Sequence, residues 1–413
     1  MNLSPSFPPS VGRASWPAAG ALAGLLFFSI LTIWIPDRWA VSVFQTGVFA
    51  LGVGWAVRMV WRPYSLKSSL LLLPLGGAFL WGLVQLATGH TVYRFETWTS
   101  LLNWAAAFVV FFVGLQALAA HSVRRAFLRA LGYFGLAVSV LAATQFFTSP
   151  GKVFWVFPTP YPDGVLGPFL SPNTYAAFIE LVLPIAVWES IWDRRRSWLW
   201  SGAAGIMFSS VIAGASRAGA SLLALEIVIL VLLAARRQTP GRALAPGVLR
   251  ILVVAAVFIT VLGWEVIWKR FQQADPYVFR RELLSSSLAM LEERPWMGFG
   301  LGTWPVVYPA YALFDIGMFA NHAHNDWAEW AAEGGIPFLL ILLTVAVWSG
   351  WQVVRSPWGL GVVSVFIHCL VDYPMQKPAL AALVCAMLGA LAASRSRRVE
   401  GAASPGTSSH SRA

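Results

Sequence analysis

Phe319-Ala-Asn-His-Ala-His-Asn-Asp-Trp-Ala-Glu-Trp-Ala-Ala-Glu333 runs directly into an apolar stretch that starts near Ile336. It closes Lys269–Glu333, the one long polar segment of the chain. Everything around that segment is built from apolar runs of about twenty residues, the length that crosses roughly 30 Å of hydrocarbon. Two of the six histidines, His322 and His324, lie in it. A chain that keeps one large polar loop among spans, and places its histidines there, does its chemistry there.

Composition agrees. Charged residues make up 11 % and hydrophobic ones 58 % of the 413 residues, whereas soluble domains carry roughly 25 % charged residues. The mean hydropathy is +0.67. This is an integral membrane protein. Its 22 Trp fit many lipid–water crossings, where that ring is enriched. The net charge of +11 comes from short basic clusters between apolar runs, which set topology and do not form a nucleic-acid groove. Cys369 and Cys385 both fall in apolar runs and read as small packing residues, not as a disulfide or metal pair. The run Ala18–Ile35 has no small-residue cleavage site after it and reads as a retained helix.

Apolar runs near 18–35, 40–60, 69–87, 99–120, 127–147, 175–192, 198–213, 218–235, 249–268, 336–353, 358–371 and 378–393 predict an all-α polytopic protein of about twelve spans. With the N-terminus inside, 19 of the 29 Lys and Arg fall on the cytoplasmic side, as the positive-inside rule requires. The loop 269–335, with five basic and eight acidic residues, is then extracytoplasmic and carries short amphipathic helices. Residues 1–400 read as one transmembrane domain, and 401–413 as a disordered cytoplasmic tail of Ser, Ala, Gly, Pro and Thr. No glycine-rich nucleotide loop is present, so ATP does not drive the chemistry.

Three further segments share the outer face. In Phe157–Tyr175 five prolines and two glycines exclude regular helix, and Asn173 is placed either as a helix cap or as a polar group of the site. Gly214-Ala-Ser-Arg-Ala-Gly219 is a short turn whose Arg217 either pairs with Glu226 or Glu180 or awaits an anion, for which a guanidinium fork suits phosphate oxygens. Tyr277–Arg294 predicts an amphipathic helix lying on the membrane or against the bundle, with Leu284, Leu288 and Leu291 on its apolar face and Gly298–Thr303 as a flexible turn after it. Arg280 and Arg281 open that helix, where the dipole already favours an anion; they are a second anion grip or a solvated start.

His322 and His324 lack cysteine neighbours, and with Asp315, Asp326 and Glu329 they do not specify a metal site. No metal and no cofactor is expected. His324 is either a capping or packing residue before the next helix or a base, since imidazole is the side chain that titrates near neutral pH. Glu329 and Glu333 stand one turn apart and could orient it or hold an arginine.

Four stretches together resemble the O-antigen ligase and polymerase family of bacterial envelopes: Gly167–Ala177 with Leu183-Pro184; Ser216-Arg217-Ala-Gly219; Arg280 through Pro295-Trp-Met-Gly-Phe-Gly300; and His322-Ala-His-Asn325 with Glu333-Gly-Gly335. The turn reads Ser-Arg-Ala-Gly where the family more often has Gly directly after Arg, and Leu284 stands where Trp is usual. The resemblance implies a glycosyltransferase of the inner membrane, active on its periplasmic face, that moves a glycan from undecaprenyl pyrophosphate to the lipid A core or another glycan acceptor. It implies His324, Arg217 and Arg280 as catalytic groups, with Arg281, His322, Asn325, Asn173 and Glu329 around the substrate. A polymerase of lipid-linked repeats and a protein O-oligosaccharyltransferase share these motifs. A lipid-carrier transporter would also suit twelve spans, but its polar groups belong at the midplane, not on one face.

Overall fold

The computed structural model describes residues 10–61, 66–160, 164–237, 249–253, 256, 278–314, 317 and 319–402. Helices dominate, because an apolar chain must satisfy its backbone polar groups internally. Helices α1 (Ser10–Leu31), α2 (Arg38–Trp61), α3 (Leu72–Thr88), α4 (Arg94–Ala117) and α5 (His121–Thr148) come first. A small antiparallel ribbon follows, β1 (Lys152–Val153) on β2 (Phe157–Pro158), with Val153 opposite Phe157. Then come α6 (Pro172–Trp192), α7 (Ser197–Gly214), α8 (Arg217–Arg236), α9 (Val278–Glu293) and the single turn α10 (Trp304–Val307). The chain ends with α11 (Asp326–Val353), α12 (Leu360–His368) and α13 (Pro378–Ala402).

Among the described residues, seven helices are long and apolar enough to cross a membrane: α2, α4, α5, α6, α8, α11 and the Pro378–Arg395 part of α13. Ser15–Leu31, α3 and Pro357–His368 are apolar but shorter. The sequence predicts twelve spans. Ten of those runs fall on these helices and an eleventh on α7, while 249–268 lies mostly outside the described residues, as do Lys269–Tyr277, Asp315 and the tail beyond Ala402.

The helix expected from near Asn325 begins at Asp326 and runs on into the apolar stretch from Ile336, because Asn325 caps it by accepting from Ala328 N–H over 3.0 Å. A break at Gly335 (φ 71°, ψ −177°) then separates its polar first part from the apolar remainder. At the other end of the chain, Gly401 and Ala402 continue α13 instead of opening the tail.

Helix α6 is the central post, packed by α5, α7, α8 and α12. Fifteen of its residues are buried. Small residues let helices close on one another: a Cβ on Gly389 of α13 would come 2.8 Å from Phe111 O of α4. The post also separates two polar ends. Asn173 stands at its start, whereas Glu189 near its end holds Arg125 at 3.2 Å and Arg129 at 2.7 Å. Sixteen residues of helix put about 24 Å between those ends.

Candidate active site

The site is assembled where α11 begins. Three successive residues fasten that start to the turn after α12. Asn325 Nδ2 donates to Leu370 O (2.9 Å), Asp326 N–H to Cys369 O (2.9 Å) and Trp327 Nε1 to Phe366 O (2.9 Å). Asp326 Oδ2 accepts from Met375 N–H at 2.9 Å in return. These bonds bring Asp372 beneath His324.

Asp372 is the hub. Its Oδ1 lies 3.3 Å from His324 Nδ1, off the line of a well-aligned hydrogen bond, and its Oδ2 lies 3.6 Å from an Arg280 nitrogen. Asn173 Nδ2 donates to the same Oδ2, and Ser216 Oγ donates to Asn173 Oδ1 over 2.8 Å. Ser216 also caps α8, accepting from Gly219 N–H at 3.2 Å, and so places Arg217 at the first position of that helix. Starts of α6, α8 and α9 and the approach to α11 thus converge through one buried carboxylate.

Burial penalises the charge on Asp372, but the His324 hydrogen bond and the charges of His324, His368 and Arg280 outweigh it and bring its pKa down to about 2. Asp372 is therefore an anion at neutral pH. The His324 side chain keeps 37 % of its surface exposed. With Nδ1 turned to Asp372, its Nε2 is the nitrogen left for chemistry. His324 itself sits at φ 51°, a left-handed conformation that costs a side-chain-bearing residue roughly 1–2 kcal/mol. Such strain persists where surrounding structure enforces it, and functional sites are where it gathers.

A second pair stands beside the first. His322 Nδ1 meets Glu329 Oε1 at 2.9 Å, and Ala323 N–H donates to Glu329 Oε2 at 2.8 Å. Burial, then the charges of Lys377 and His324, lowers the His322 pKa to about 3, so its ring is neutral. Tyr373 separates the two histidines, with ring centroids 4.5 Å from His322 and 4.7 Å from His324. Lys377 Nζ caps the same ring at 5.0 Å.

Several expectations change here. Glu329 orients His322, not His324, and Glu333 accepts from Trp304 N–H at 3.0 Å as a structural brace. Asn173 does not cap α6, whose N-cap position is Ser171; its amide is spent on Asp372 and Ser216. Asn325, not His324, caps α11. Glu180, considered as a partner for Arg217, lies 2.7 Å from His368. On α9 the leucine stripe is not the side turned into the bundle. Leu288 is 47 % exposed while Glu282, Leu283, Ser286, Ser287 and Met290 are buried. Glu282 accepts from Ser286 Oγ (2.9 Å) and Tyr308 Oη (2.7 Å), which satisfies the polar face inward. Arg280 is half-buried on this helix and Arg281 exposed.

The Gly298–Thr303 turn is not loose. Gly298 (φ 63°) lies against α11 so closely that a Cβ would meet Glu333 O at 2.3 Å. Gly300 N–H donates to Glu333 O, and buried Gln85 of α3 donates to Glu333 O and Met297 O. Asp372 and Tyr373 escaped the sequence reading altogether. Their signal was a lone acid in the short polar turn between the last two apolar runs, on the same outer face as the other candidates.

Residues 202–343 match the family model described as O-antigen ligase. Over these residues the chain is similar to the O-antigen ligase family. The match takes in Arg217, Arg280, Arg281, His322, His324, Asn325 and Glu329; Asn173 and Asp372 lie outside it and join the O-antigen ligase region only through the fold. No curated protein matched the chain. The match and the apolar helices together support a membrane protein of glycosyltransferase type, the class the four sequence stretches pointed to.

Proposed function

We propose that the protein transfers a glycan from undecaprenyl pyrophosphate to an acceptor hydroxyl at the periplasmic face of the inner membrane, with inversion at the anomeric carbon and without a metal. The observation that carries this proposal is the meeting of His324 and Arg280 on the two oxygens of Asp372. A base with a carboxylate behind it and a phosphate-binding fork stand side by side.

A sugar on pyrophosphate already carries a good leaving group, so two tasks remain. His324 Nε2 takes the proton from the acceptor hydroxyl as its oxygen attacks C1, and Asp372 stabilises the imidazolium that forms. The C1–O bond to pyrophosphate breaks as the new glycosidic bond forms on the opposite face. Arg217 and Arg280, with Arg281 close by in sequence, stabilise the charge that collects on the departing pyrophosphate. Asp372 Oδ2, 3.6 Å from an Arg280 nitrogen, is the anion that holds Arg280 toward the site. Arginines are the neutralising groups proposed, in place of a metal. The acceptor proposed is a lipid A core or another glycan; a growing lipid-linked polymer or a protein hydroxyl would use the same atoms.

The test uses purified protein, a labelled lipid-linked glycan and candidate acceptors. Arg217→Ala and Arg280→Ala should each impair transfer while the fold persists, and Lys at either position should restore only part, because charge returns without the bidentate fork. Wild-type activity in both Ala variants would leave these arginines as topology charges and favour a transporter.

A further inference from the structure

A second set of ionisable groups lies beneath the outer cluster, and the transfer chemistry does not use it. Glu180 on α6, Glu226 on α8 and His368 on α12 are 0 %, 1 % and 0 % exposed. His368 Nδ1 stands 2.7 Å from Glu180 Oε1. Among the described residues Glu180 Oε2 and His368 Nε2 have no hydrogen-bond partner, and Ser364 is the polar neighbour of the Glu226 carboxylate. Apolar residues of similar size would remove that desolvation cost. Ionisable residues kept inside spans are functional by default.

Their placement says which function. Glu180 follows Asn173 by two turns of α6, and His368 precedes Asp372 by one turn, with Asp372 N–H donating to His368 O at 3.0 Å. Gly361 makes the pairing possible. A Cβ there would lie 2.0 Å from Glu180 O, so only glycine lets α12 close onto the α6 backbone. The buried pair therefore stands directly behind the carboxylate that faces His324.

We propose that Glu180 and His368 are positioning residues for glycan transfer: Glu180 holds the His368 ring, and so fixes the turn that carries Asp372 and keeps that carboxylate aimed at His324. This rests on the transfer reaction proposed above. The charge of His368 is among those that hold the Asp372 pKa at about 2 against its burial. Glu180, Asp372 and Arg280 surround His368, while Glu226 of α8 and Ser364 stand behind Glu180. Cys369 and Asp326 complete the charged and titratable neighbours on the α11 side.

The experiment compares wild type, Glu180→Gln, Glu180→Asp and the double variant Glu180→Gln/His368→Gln in one lipid preparation. It measures kcat and donor KM across about pH 4–9 alongside thermal stability. In Glu180→Gln, kcat should fall about tenfold or more with donor KM within about twofold, and the acid limb, set by the general base, should move down by about one pH unit as a misaimed Asp372 stabilises the protonated base less. Glu180→Asp should recover part of both. The double variant keeps a neutral amide pair in the same space and should show the same displaced limb. A folded Glu180→Gln or double variant with the wild-type profile overturns the proposal. So does a kcat that falls only with the folded fraction, or failure of both variants to fold, which would assign the pair to stability alone. A wild-type protein that transfers no glycan from any donor would instead remove the transfer reaction itself.

Discussion

His324 Nδ1 lies 3.3 Å from Asp372 Oδ1, although one residue precedes α11 and the other follows α12. The contact exists because Asn325, Asp326 and Trp327 hydrogen-bond across to residues 366–370. It gives the histidine a fixed tautomer and a counter-charge. Asp372→Asn preserves shape and removes the charge, so it should slow transfer by about a hundredfold or more with the protein still folded. Turnover near wild type would show that His324 works without its carboxylate.

Gly298 is a stability position, not a hinge. Its φ of 63° and the 2.3 Å approach of any Cβ to Glu333 O mean that Gly298→Ala must displace either its own turn or α11. Unfolding in detergent should become easier by about 2–4 kcal/mol. A variant as stable as wild type would mean the turn relaxes freely, as the sequence first suggested.

The helices were legible because apolar runs of spanning length leave few alternatives. Arg280 and His324 were legible as candidates because such side chains on one outer face needed a reason to be there. Asp372 was not, since a single acid between two apolar runs looks like an ordinary turn residue until α11 and α12 are joined. Whether the leucine stripe of α9 would turn to membrane or bundle was not legible for a related reason. Leucine spacing marks a buried stripe in water, but here Glu282 and Ser286 find their partners inward and Leu288 is left outside. In a membrane protein the polar face is the one that must be satisfied internally.

Acid should act on Asp372 late. Its native pKa, about 2, is below the ordinary value of 3.8, so its charge stabilises the fold above about pH 4. That contribution disappears as the pH falls through the native value, and amounts to about 2 kcal/mol. Wild type should therefore lose more stability between pH 4 and pH 2 than Asp372→Asn does. Parallel loss in both proteins would show that Asp372 is not held as an anion.

Orientation has its own check. A single cysteine at Ala320, beside the histidines, should react with a membrane-impermeant thiol reagent in intact spheroplasts. Labelling only after lysis would move the site to the cytoplasmic face; the second position suited to this experiment, Gln272, lies outside the described residues.

The most direct measurement is turnover of a lipid-linked glycan by EDTA-treated wild type, His322→Ala and His324→Ala, each shown to be folded. Wild type should keep its full rate without metal, His322→Ala should lose modestly, and His324→Ala should fall to background. Wild-type turnover in His324→Ala, or a wild-type rate that vanishes with EDTA and returns only with Mg²⁺ or Mn²⁺, would contradict the histidine base and the arginine-neutralised pyrophosphate.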